Sequence, residues 1–128
     1  MARKPIHSDD APKAIGPYSQ AIQVEAGKMT FLSGQIPLDP KTMEMVQGDA
    51  ATQAEQVMKN LRAVLTASGL DFSHVVRCTI FLTDLGDFAK VNEVYGRYFT
   101  GAPPSRATVQ VAALPRGAKV EIDAIAVS

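Results

Sequence analysis

Only two segments of this chain carry the three- and four-residue apolar spacing of a helix, and each has a single apolar face. From Asp49 to Ser68 the stripe is Ala50, Ala54, Val57, Met58, Leu61, Val64 and Leu65. From about Asp87 to Phe99 it is Phe88, Val91, Val94, Tyr95, Tyr98 and Phe99. A one-sided helix buries its stripe and leaves the rest to water. Two of them cover one face of a sheet and leave the other open. The ends are marked: Asp49, or Thr52 with Glu55, caps the first helix, Gly69 stops it, and Gly101 with Pro103-Pro104 ends the second.

The remaining segments read as strands. Ala21–Val24 and Met29–Ser33 flank a turn at Ala26-Gly27-Lys28 and look like a hairpin. Val75–Leu82 is rich in β-branched residues and largely apolar on both faces, the pattern of a strand buried on both sides. Along the next strand Arg106, Thr108 and Gln110 face one way, and Ala107, Val109 and Val111 the other. After a turn at Leu114–Gly117, Val120, Ile122, Ala124 and Ala126 alternate with Glu121 and Asp123. The order is β-β-α-β-α-β-β in one α+β domain spanning residues 1–128. Ile125 and Val127 lie opposite Ala124 and Ala126, so the uncovered face is itself apolar and calls for a second copy of the chain, or for long loops that cover it.

The 128 residues hold 13 Lys plus Arg against 13 Asp plus Glu, a formal net charge of zero. That balance lacks the basic footprint of a nucleic-acid binder and the polybasic patch of a membrane-surface protein. The start, MARKPIHSDD, has no apolar leader-like run, and no stretch reaches the roughly 18 apolar residues of a membrane span. The cytoplasm is the expected location. The single cysteine, Cys78, sits within an apolar strand and reads as a buried, inert thiol. His7 and His74 have no metal-ligand spacing, and no phosphate-binding glycine loop or nucleophile elbow occurs. No metal or cofactor is expected.

A few residues remain as candidates for chemistry. Arg106 follows Pro103-Pro104-Ser105 at the mouth of a strand, where a planar guanidinium can grip a carboxylate through two charge-assisted hydrogen bonds of roughly 1.5–3 kcal/mol each. A solvated edge-strand face fits the same pattern and, taken alone, weighs slightly more. Glu121 and Asp123 share one face of the neighbouring strand. Either orients a water as a base or belongs to a surface charge pair with Arg106 or Lys119. Tyr18, in the stiff turn Gly16-Pro17-Tyr18-Ser19, offers a hydroxyl to a ligand or simply packs.

Taken together, AIGPYSQAI (14–22), FLSGQIPLDP (31–40), EQVMKNL (55–61) and PPSRATVQVAALPRGAKVEIDAIAV (103–127) resemble the Rid family of enamine/imine deaminases, also called the YjgF family. The resemblance spans nearly the whole chain. It implies a chorismate-mutase-like α+β fold with two helices on one face, assembled as a homotrimer with clefts between subunits. The implied activity is hydrolysis of 2-iminoacids, formed from enamines released by pyridoxal-phosphate-dependent dehydratases, to 2-oxoacids and ammonia. Arg106 then clamps the substrate carboxylate and Glu121 positions the attacking water. Tyr18, the Ser33-Gly34 backbone, Asn92 and Thr108 lie around the ligand. Thr108 is a departure, since deaminating members often carry cysteine there; a mechanism that uses water and no covalent nucleophile tolerates threonine. Two other functions fit the same fold: a 2-oxoacid-binding regulator without turnover, and an endoribonuclease, which the neutral charge disfavours.

Overall fold

The computed structural model describes residues 3–25 and 27–128. Its elements are β1 (Arg3–Ile6), β2 (Ala21–Val24), β3 (Met29–Gln35), α1 (Ala50–Ala67), β4 (Val75–Leu82), α2 (Phe88–Gly96), β5 (Ser105–Gln110) and β6 (Val120–Val127). Four strands form one mixed sheet in the order β3-β6-β4-β5, with β4 and β5 parallel and the other pairs antiparallel. Both helices pack on one face of that sheet. Between them lies a single buried cluster that includes Met58, Leu61, Leu65, Ile80, Leu82, Val91, Tyr95 and Ile122. This is the α+β arrangement that the two one-sided helices imply.

α1 forms where the apolar spacing places it. Asp49 is the cap, its Oδ1 accepting from the Thr52 N–H at 2.9 Å, and Gly69 takes the left-handed turn with φ +75°. Two positions differ from the expected stripe. Val64 is partly exposed at its edge, while Gln53 is buried. The Gln53 amide is satisfied by donating to Val46 O and accepting from Lys119 N–H, which ties the helix to the ends of two loops. α2 stops at Gly96, and Tyr98 and Phe99 reach the core from the segment beyond it.

The expected hairpin does not form, and Ala26 of its turn lies outside the described residues. β3 pairs with β6 across the sheet, and β2 pairs with β1 in a separate two-stranded ribbon. The physical reason is burial. Pairing with β6 seats Leu32 in the core beside Ala124, whereas a local hairpin would satisfy backbone groups without covering apolar surface. β1 escapes the alternation pattern because Pro5 interrupts it, and a proline is tolerated on such an edge.

β4 is also one-sided in this chain. After a bulge near Val76, Cys78, Ile80 and Leu82 are buried against the helices, while Arg77 is exposed and Thr79 and Phe81 are only partly covered. The opposite face of the sheet stays open and apolar: Phe31 is 69% exposed, Met29 55% and Val109 41%.

Candidate functional site

β5 and the loop before β2 meet at Arg106. The Ser19 hydroxyl donates to Pro103 O at 2.5 Å, and its N–H donates to Pro104 O at 3.2 Å. These bonds hold the turn Gly16–Ser19 against the entrance of β5. Tyr18 is thereby placed beside the arginine, its ring centroid 5.4 Å from Arg106 Cζ. From the other side α2 contributes Phe88 at 5.7 Å and Tyr95 at 5.2 Å. Asn92, one turn after Phe88 on the same helix face, accepts from Arg106 NH1 at 2.8 Å.

The guanidinium is thus enclosed by three aromatic rings and one amide oxygen, and no carboxylate pairs with it among the described residues. Burial, the leading cause, lowers its pKa, and the neighbouring Tyr95 and Tyr18 oppose that shift. An arginine remains charged in any case. A cation facing a ring gains about 0.5–2 kcal/mol per contact, while withdrawing an ion from water costs several kcal/mol. The rings hold the half-buried guanidinium in place. The solvated-edge reading of Arg106 does not fit this enclosure.

Around the arginine the Tyr18 hydroxyl accepts from Ile15 N–H at 3.3 Å, which leaves its own proton available to a ligand. Thr108 shares the face of Arg106 two residues along β5, and its buried Oγ1 has no partner among the described residues. Cys78 lies beneath, where burial pushes its thiol up to about 12 and makes it inert. The Tyr95 hydroxyl lies against that thiol, and burial raises its pKa as well.

Glu121 belongs to a second group. On β6 it pairs with Phe81, and Phe81 pairs with Val109 on β5, which places Glu121 with Phe31 and Val109 on the open face. Arg106 pairs with Cys78 and leaves the sheet on the helix side. Within one protomer the two residues therefore stand on opposite faces, and the surface pair of Glu121 with Arg106 does not form. Asp123 is occupied by the Thr79 N–H at 3.0 Å. The Glu121 side chain lies directly over Gly34: a Cβ built there would come within 2.3 Å of Oε2 and 2.8 Å of Cδ. Gly34 does not take a left-handed φ. Its lack of a side chain serves the close approach of the carboxylate. Ser33 is exposed next to it, at the irregularity between Leu32 and Gln35.

The candidate residues fall into two groups: Arg106 with Tyr18, Asn92 and Thr108, and Glu121 with Gly34 and Ser33. Phe88 and Tyr95 are members that stripe analysis assigned to helix packing alone. The signal for them was Asn92, a polar residue set on the same helix face between the two aromatics, at spacings of four and three. Among the described residues no group of three or more His, Cys, Asp or Glu gathers to hold a metal, and no helix is long and apolar enough to cross a membrane.

A family model described as Endoribonuclease L-PSP matches residues 8–128. The chain is 88% identical over 128 residues to Protein DfrA of Myxococcus xanthus, covering 100% of this chain and 98% of that protein. It is 52% identical over 127 residues to the 2-iminobutanoate/2-iminopropanoate deaminase of Mus musculus, covering 99% and 93%. Among solved structures, E. coli TdcF with bound serine superposes with a TM-score of 0.76 at 45% identity, covering 98% of each chain.

Proposed function

The chain belongs to the Rid family, also called the YjgF family, and on that premise we propose that it is an imine deaminase, hydrolysing 2-iminoacids and the enamines that precede them to 2-oxoacids and ammonia. The observation that carries this reading is Arg106: a half-buried cation held by Tyr18, Phe88, Tyr95 and Asn92, with no carboxylate paired to it among the described residues. A 2-iminoacid brings that carboxylate. The mouse relative is named for this activity, and the serine held by TdcF carries the same group.

In the proposed reaction Arg106 grips the substrate carboxylate in a bidentate pair, with Tyr18 and Thr108 beside it. The iminium carbon then faces Glu121, which accepts a proton from water as the oxygen adds. The resulting carbinolamine takes that proton back from Glu121 on its nitrogen, the C–N bond breaks as the hydroxyl proton passes to Glu121 and the C=O forms, and the departing ammonia carries this last proton away as ammonium. Water is consumed and nothing is oxidised or reduced, so no cofactor enters. Because Arg106 and Glu121 leave opposite faces of one sheet, the pair meets only when a second protomer brings its half-site across. The open apolar face around Phe31, Met29 and Val109 supports such an assembly. We take the assembly to be a cytoplasmic homotrimer of a single domain spanning residues 1–128. Light scattering at micromolar concentration should give about three times the chain mass of 13.7 kDa; a monomer mass would contradict an interfacial site.

Gly34 supplies a second check. Gly34→Ala inserts a methyl where Glu121 Oε2 now lies, and the strand backbone accepts alanine without strain. The carboxylate must shift, so kcat should fall by about tenfold or more while KM, set by Arg106, changes little. An unchanged kcat would mean that the position of Glu121 is immaterial.

A regulator that binds 2-oxoacids without turnover remains the second reading, favoured by the Arg106 half-site being complete within one protomer. The endoribonuclease description attached to the family finds less support here. The formal net charge is zero, and His7 and His74 each pair with an acid of their own segment, Asp9 and Asp71. Following 2-iminobutyrate and 2-iminopropionate decay after subtraction of spontaneous hydrolysis separates enzyme from regulator. Acceleration supports the deaminase, and binding of 2-oxobutyrate without acceleration supports the regulator.

A further inference from the structure

A second cavity, of about 380 Å³, opens between β1, the turn at Phe72–His74 and the segment after α2, and neither Arg106 nor Glu121 lines it. One wall is aromatic: Phe72 meets Tyr98 edge-on at 5.3 Å and Phe99 at 5.4 Å between centroids. Arg62, on the exposed side of α1, lays its guanidinium 4.8 Å from the Tyr98 centroid and 5.8 Å from that of Phe72. It makes no hydrogen bond or ion pair among the described residues. Across the cavity Arg3 donates from Nε to Ser73 O at 2.7 Å and from NH2 to Ala102 O. Its NH1 is buried and has no partner among the described residues, and such an orphaned donor calls for an explanation.

Asp71 is the one acid in the lining. Its carboxylate accepts from the Ser73 N–H at 2.9 Å and from the Ser73 hydroxyl, the His74 Nδ1 beside it accepts the Asp71 N–H at 3.1 Å, and the carboxylate bonds neither arginine. Partial burial lowers the pKa of Arg3, and Tyr95 opposes that shift. Arg62, with its N–H donors unused, therefore lies on an aromatic wall, with the Arg3 guanidinium, held by Ser73 O and Ala102 O, across the cavity.

We infer that this cavity is a second ligand site, for a small molecule carrying a carboxylate or phosphate on one aromatic ring. The ring packs edge-to-face on Phe72 and Tyr98. The oxyanion takes the free fork of Arg62, whose stacking on the two rings fixes its plane. At about 380 Å³ the cavity lies near the small end of ligand sites, which run to roughly 1,000 Å³, and a single ring with its anionic group suits that volume. Ser73 and Thr100 also line the cavity, and with Asp71 committed to the Ser73 turn the site is assigned binding alone. It is independent of the deaminase reading, because it shares no residue with the Arg106 enclosure.

Titration of the whole protein with phenyl phosphate and, separately, with benzoate tests this by amide chemical shifts in NMR. The expected result is perturbation at Phe72, Tyr98 and Thr100 by at least one of the two below about 10 mM. The tighter ligand identifies the preferred oxyanion. Arg62→Ala, a change at an exposed side chain, should weaken those perturbations by about tenfold or more. Arg106→Ala should leave them in place. No perturbation at these amides, perturbation indifferent to Arg62→Ala, or loss in Arg106→Ala would each overturn the assignment.

Discussion

Arg106→Ala is expected to lower the rate of 2-iminobutyrate hydrolysis by about two to four decades, the equivalent of roughly 3–5 kcal/mol of lost transition-state binding. The circular dichroism spectrum and oligomer mass should not change, because Arg106 lies on an edge strand beside the core rather than within it. Arg106→Lys should recover little. An ammonium lacks the planar fork, and it cannot keep the contact with Asn92 while also bridging both carboxylate oxygens. The enclosure adds a detail to this expectation: the three rings should hold the guanidinium in one orientation even without ligand, so a bound 2-oxoacid finds its partner already placed. Near-normal turnover in Arg106→Ala would return the residue to a structural role.

Glu121→Gln is expected to separate binding from chemistry. Glutamine keeps the shape over Gly34, so 2-oxobutyrate should bind with near wild-type affinity through Arg106. An amide cannot take the proton of the attacking water, and the rate should fall by roughly two decades or more. Calorimetry with 2-oxobutyrate beside the imine-decay assay reads both quantities on one sample. Unchanged decay would make Glu121 structural, and lost affinity would place it in binding.

Much of this fold was legible because its signals are local. The α1 stripe, the Asp49 cap, the Gly69 stop and the alternation of β6 each depend on neighbours within a few residues, and each appears where the spacing puts it. Strand partners are a different kind of property. The turn after β2 suggested a hairpin, yet β3 found β6 nearly a hundred residues away because Leu32 is buried there. Arg106 and Glu121 were both visible as candidates. That they leave opposite faces depends on the registers of β4 with β5 and with β6, in which Cys78 meets Arg106 on one side and Ala124 on the other. No single strand carries that information. The enclosure of Arg106 was hidden for a related reason: Phe88 and Tyr95 are ordinary members of an apolar stripe until the sheet shows what lies beneath it. The apolar second face of β4 was read as buried on both sides. In one protomer it is half covered, because both helices lie on the other face of the sheet.

The proposed reaction requires Arg106 of one protomer to work with Glu121 of another. Co-assembling Arg106→Ala and Glu121→Gln chains in equal amounts tests it most directly. Each variant alone should be nearly inactive. Random mixing leaves an intact arginine facing an intact glutamate at about a quarter of the interfaces, so the mixture should regain about a quarter of wild-type activity. A mixture no more active than either variant alone would contradict the claim and place the whole reaction within a single chain.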